Sequence, residues 1–127
     1  MKAAKNEVDP ATIEAIVKSQ KAENLKAEAA LERRLTSARD EAGRLATAIA
    51  QIPGVRKVLL FGSVARGRPF AFDSDIDLAI EGGDILEAMA IVEASSFSVD
   101  VVDLDRFDLP RRSRLLSEGW VLYEKNA

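Results

Sequence analysis

The apolar positions of this chain follow two different rhythms. From Asp9-Pro10 to about Gln51, the residues Leu31, Leu35, Ala38, Ala42, Leu45, Ile49 and Ile52 recur at steps of four and three. That spacing lays one seam along a helix. Ala, Glu, Lys, Arg and Leu dominate the stretch, and Gly43 is its one glycine; these are good helix formers. Asp9 suits an N-cap and Pro10 the first turn. A long N-terminal helix is predicted, its second half packing on the domain's own sheet. Its first half carries only a short patch, Ile13, Ile16 and Val17, followed by a mostly charged run. That half reads as a surface for another subunit or protein.

Ile52-Pro53-Gly54 is a turn signal, and beyond it the rhythm becomes mixed. Val55 to Phe61 and Ile76 to Glu81 read as strands, with a short helix or turn from Ser63 to about Arg68 between them. After the Gly82-Gly83 break, Asp84 to Ala94 reads as a helix with Ile85, Leu86, Met89 and Val92 on its apolar face. Phe97 to Val102 is a third strand, and Pro110 to Glu118 an arginine-rich helix. Gly119 ends that helix, and Trp120 to Tyr123 forms a last strand. The expected class is α+β: a small mixed sheet packed by helices, with a helical extension over 1–40 and one domain over 41–127.

Composition narrows the chemistry. The chain has 127 residues, 47% of them hydrophobic, which suffices for one core. A formal net charge of −3 argues against direct, sequence-independent nucleic-acid binding. Cysteine and histidine are both absent, so thiolate catalysis, Ser–His triads and Cys- or His-ligated metals are excluded within this chain. A general base must then be a carboxylate, and a bound metal must have oxygen ligands. No apolar run approaches a membrane span, and the first residues lack a signal-peptide core. A cytoplasmic protein without a membrane association is expected.

The acids supply the candidate chemistry. The strand Val58-Leu59-Leu60-Phe61 runs into Gly62-Ser63, and the next strand carries Ser74-Asp75-Ile76-Asp77-Leu78. Residues two apart on a strand share a side, so Asp75 and Asp77 face together while Ile76, Leu78 and Ile80 point into a core. Neighbouring carboxylates repel unless water or a hard cation such as Mg²⁺ lies between them. Glycine permits close backbone approach to a ligand, and a helix starting at Ser63 would turn its free N–H groups toward a phosphate. Phosphoryl-type chemistry also needs a proton acceptor, for which Asp100, Asp103 and Asp105 are candidates. Asp100 is preferred because it interrupts the apolar run Phe97 to Val102, where an unpaired charge is costly.

Gly62-Ser63-Val64-Ala65-Arg66-Gly67, Ser74-Asp75-Ile76-Asp77-Leu78 and Val99-Asp100-Val101-Val102-Asp103 closely resemble the minimal nucleotidyltransferase (MNT) family of the DNA polymerase β superfamily. The segment Leu115 to Glu124 is similar to the end of such domains, and the likeness covers roughly residues 45 to 125. It implies a polymerase β-like nucleotidyltransferase fold. It also implies that Gly62 and Ser63 hold the triphosphate of ATP or another NTP, with Arg66 near a phosphate. Asp75, Asp77 and Asp100 would be the catalytic, Mg²⁺-binding triad, Asp100 serving as base. Many MNT proteins are antitoxins paired with a HEPN-type toxin, and some transfer AMP from ATP to a toxin tyrosine. The resemblance thus implies an NMP transferase acting on a hydroxyl of a partner protein. A non-catalytic antitoxin that masks its toxin, and a transferase acting on RNA or a small metabolite with a helper subunit, are the competing readings.

Two features depart from the family pattern. Eleven residues separate Ser63 from Asp75, one more than usual, the extra residue lying within Arg68 to Asp73. The helix before residue 40 goes beyond the minimal domain and suggests self-association or toxin binding. Arg106, Arg111, Arg112 and Arg114 form a basic cluster, read as a solvated face or a contact for phosphates or an acidic partner. Of Phe70 and Phe72, one is expected in the core.

Overall fold

The computed structural model describes residues 9–126; residues 1–8 of the expected helical extension, and Ala127, lie outside the described residues. Asp9 accepts from the Ala11 amide and opens α1 (Pro10–Ile49), the long helix that the seam predicts. The chain divides into two units between Arg33 and Arg34, inside this helix. Of the first unit, the described residues up to Glu28 are all exposed, Ile13, Ile16, Val17 and Leu25 included. No described helix is long and apolar enough to cross a membrane.

The second unit holds the sheet. Its strands are β1 (Lys57–Phe61), β2 (Ile76–Glu81), β3 (Val99–Asp103) and β4 (Trp120–Glu124), in the order β3-β2-β1-β4. β1 pairs antiparallel with both β2 and β4. β2 and β3 are parallel, joined through α3 (Ile85–Glu93), as a parallel pair requires. The short α2 (Gly62–Arg66) follows β1 directly. A 3-10 turn (Leu104–Arg106) and α4 (Leu109–Glu118) lead from β3 to β4.

Strand alternation sorts the residues onto two faces. Val58 and Leu60 of β1, with Ile76, Leu78 and Ile80 of β2, are fully buried against Ala38, Ala42, Leu45 and Ile49 of α1 and Ala88 and Val92 of α3. The predicted packing of the second half of α1 on the sheet is therefore present. The opposite face buries Leu59, Ala79 and Leu104 beneath Leu115 and Leu116 of α4. Because Phe61 pairs with Asp77, and Asp77 with Asp100, both acids stand on this second face.

Several elements differ from expectation. α3 buries Ala88 and Val92, whereas Leu86 and Met89 are exposed. A nine-residue helix lying on a sheet hides one stripe; here it contains Ile85, Ala88 and Val92, and Leu86 and Met89 fall beside it. β1 starts at Lys57 rather than Val55 and β3 at Val99 rather than Phe97. Phe97 instead lies under the Arg34 guanidinium, 4.0 Å from ring centroid to carbon. Phe70 joins the core while Phe72 is exposed.

Candidate active site

Asp77 is the centre of the candidate site. It sits near the start of β2, directly opposite Phe61 on one side and Asp100 on the other. Adjacent strands are about 4.8 Å apart, so the Asp77 and Asp100 backbones are immediate neighbours. Asp75 precedes β2 by one residue and is partly buried. These acids reach Asp77 electrostatically. Its carboxyl is pushed up to about 6, first by burial, then by the negative charges of Asp100 and Asp75; Arg66 pulls it the other way. Asp75, Asp100 and Arg66 thus all act on Asp77, although the four come from three separate stretches of sequence.

Gly62 closes the site against Asp77. Its φ is +75°, a left-handed conformation that disfavours a side chain. A Cβ at Gly62 would clash directly with Asp77 Oδ2. The glycine is there for this close approach. Ser63 follows in the first turn of α2, whose N-cap position is held by Phe61 without any side-chain cap.

Asp100 is not the buried charge that the apolar run predicts. β3 is an edge strand and Asp100 is exposed, so burial does not make its charge costly. Register sets it apart instead: Asp100 pairs with Asp77, and Asp103 with Ile80. The other candidates are otherwise engaged. Asp103 accepts from the Asp105 amide at 3.0 Å. Asp105 accepts from Gly82 N at 2.9 Å and pairs with Arg56 and Arg112.

Three arginines of the basic cluster, Arg106, Arg111 and Arg112, are likewise paired with acids of this chain. Arg112 is bonded to Glu81 at 2.5 Å and lies 3.5 Å from Asp105. Glu81 is four residues along β2 from Asp77, roughly 13 Å away. Arg111 pairs with Asp108 and Arg106 with Asp103.

Arg39 carries no signal in the sequence. It donates from Nε to the Val64 carbonyl at 2.9 Å and from Nη2 to the Ala65 carbonyl at 3.1 Å, and its guanidinium lies over the Trp120 ring. Nothing in an Ala- and Arg-rich helical stretch marks this arginine over its neighbours. Glu41 is equally silent in the sequence: it is buried and bonded to Ser95 Oγ and Arg44.

An all-carboxylate donor set suits a hard divalent cation, which would offset both the burial and the neighbouring negative charges that raise Asp77. Among the described residues, no three acidic side chains already enclose a point at which an ion would be held.

The family model of Polymerase beta, Nucleotidyltransferase matches residues 44–127. Among solved structures, a chain from a crystal structure of a toxin-antitoxin with AMP-PNP is 25% identical with a TM-score of 0.50, over 71% of this chain and 73% of that one. A chain from a mutant of the toxin-antitoxin MntA-HpeT is also 25% identical with a TM-score of 0.50, over 69% and 73%. A chain from the tri-AMPylated Shewanella oneidensis HEPN toxin in complex with MNT antitoxin is 22% identical with a TM-score of 0.47, over 72% and 73%. No curated protein matches the chain. All four strands, and the whole stretch from Gly62 to Asp100, fall inside the family match, and the chain belongs to the Polymerase beta, Nucleotidyltransferase family.

Proposed function

We propose that this chain is a Mg²⁺-dependent nucleotidyltransferase that moves AMP from ATP onto a hydroxyl of a partner protein, a HEPN-type toxin for which it is the antitoxin. The observation that carries the reading is Asp77, set opposite Asp100 and pressed against Gly62. The toxin-antitoxin setting is supported by the similarity to a chain whose structure is that of a toxin-antitoxin with AMP-PNP.

In this reading Gly62 and Ser63 hold the triphosphate, and Arg66, exposed at the end of α2, approaches a phosphate oxygen. Asp75, Asp77 and Asp100 would hold Mg²⁺, which when bound offsets the charge on the phosphate oxygens. Asp100 accepts the proton of the attacking hydroxyl. That oxygen forms a bond to the α-phosphorus in line with the breaking bond, and pyrophosphate leaves. Within the helical extension over 1–40, the exposed residues before about 28 are assigned to self-association or toxin binding, and 41–127 to the transferase domain.

The test is incubation with a HEPN toxin, Mg²⁺ and α-labelled ATP. Label covalently attached to the toxin, and absent with Asp77→Asn, is expected. Toxin neutralisation without label, unchanged in Asp77→Asn, would replace the enzyme with an antitoxin that acts by masking alone.

A further inference from the structure

We infer that Arg39 is a positioning residue that holds the Gly62–Arg66 segment in place for a triphosphate; the inference rests on the function proposed above. α2 has only five residues, too few to hold a helical shape by themselves. The carbonyls at the end of a helix lack partners within it, and in α2 each of three finds one elsewhere. Gly67 N donates to Ser63 O at 2.7 Å, and Arg39 takes the carbonyls of Val64 and Ala65. The planar guanidinium offers two donors in a fixed fork, a geometry that a lysine ammonium cannot copy.

Arg39 is itself fixed. One face of its guanidinium lies 4.4 Å from the Trp120 ring centroid, a cation–π contact. Trp120 pairs across the sheet with Leu60, two residues before Gly62. Nη2 also lies 3.1 Å from where a Cβ of Gly67 would stand, so the guanidinium packs closely on the glycine that ends α2. Through one side chain, α1 and β4 grip the far end of the segment whose near end meets Asp77. Loosening that grip lets Gly62 and Ser63 shift relative to Asp77 without touching either.

Arg39→Met removes both donors and keeps the bulk; Arg39→Lys keeps the charge without the fork. Calorimetric affinities for Mg·ATP and for Mg·tripolyphosphate are measured at a temperature where circular dichroism shows the variants folded. Arg39→Met is expected to weaken both ligands equally, by ~10-fold, as loss of two charge-assisted hydrogen bonds would. Arg39→Lys should fall between it and the unaltered protein. A residue with a merely structural role would lower the melting temperature and leave the affinity of the folded protein unchanged, and that result overturns the inference. So does a loss confined to ATP, because the effect would then bypass the phosphates. If Arg39→Met does not fold, an unaltered affinity in Arg39→Lys overturns it. Failure of the unaltered protein to bind either ligand overturns the proposed function, and this inference with it.

Discussion

Asp77→Asn is expected to make the metal-free protein more stable while abolishing transfer. The carboxyl of Asp77 is raised from 3.8 to about 6, chiefly by burial and then by Asp100 and Asp75. A raised value means that the native state holds the proton more tightly than the unfolded chain does. The resulting contribution is fully present below about 3.8 and is lost as pH rises through about 6. Above that, the native state bears an unfavourable charge. A shift of roughly two units corresponds to at most ~3 kcal/mol, and partial exposure cuts this by about half. Asparagine keeps the shape beside Gly62 and removes the charge. Its gain should thus be about 1–1.5 kcal/mol at pH 7.5, or roughly 4–8 °C in melting temperature for a domain of this size. It should shrink through pH 6 and vanish near pH 4. Thermal melts from pH 4 to 8, with and without Mg²⁺, are the assay. Mg²⁺ should raise the melting temperature of the unaltered protein and leave Asp77→Asn unmoved. A variant that melts below the unaltered protein at pH 7.5 without metal would refute the reasoning, since the carboxylate would then be making a structural contact.

Asp100→Ala should eliminate label transfer while keeping Mg·ATP affinity within ~3-fold, because Gly62, Ser63, Asp75 and Asp77 remain; retained transfer would take Asp100 out of the reaction. Gly62→Ala should cost about 2 kcal/mol or more in a denaturant titration, from its left-handed backbone and the collision with Asp77 Oδ2; an unchanged midpoint would mean that the site is looser than this. A chain beginning at residue 29 should melt within ~2 °C of the full-length protein, since the described residues it loses are all exposed. It should also lose self-association or toxin affinity by light scattering and pull-down, and if neither changes, the extension has no such role.

Much of the fold was legible because it follows from periodicity. β2 is legible at its observed bounds because the large apolar residues Ile76, Leu78 and Ile80 recur at every second position, before the Gly82-Gly83 break. α3 and α4 are legible to within a residue; in the structure Asp84 and Asp108 stand at their N-caps. The seam of α1 was legible for the same reason, and Ala38, Ala42, Leu45, Ile49 and Ile52 are all buried. What local pattern does not encode is which strand lies at an edge. Val99, Val101 and Val102 read like a strand buried on both faces, the habit of parallel sheets, yet β3 is the outer strand and Asp100 is exposed. Partner choice among charges was equally hidden. Arg39 and Arg112 stand in stretches that look like solvated helix, yet Arg39 bonds to Val64 and Ala65 and Arg112 to Glu81, each 25 or more positions away.

The extra residue between Ser63 and Asp75 illustrates how the sheet protects the candidate site. Loop length alone would suggest that Asp77 is displaced from Gly62. The strands decide otherwise. Phe61 pairs with Asp77, Leu60 with Leu78 and Leu59 with Ala79, and a slip of one residue would send Ile76, Leu78 and Ile80 out of the core. Burial of those three side chains therefore fixes where Asp77 stands, however long the loop is. The loop absorbs the difference itself: Phe70 packs into the core, Ser74 Oγ accepts from Ala71 N at 2.9 Å, and Phe72 is left exposed. The alternation that builds the core is the same one that turns Asp77 toward Gly62 and Asp100. The register can then be read from the hydrophobic residues, and the position of the central acid follows from the register.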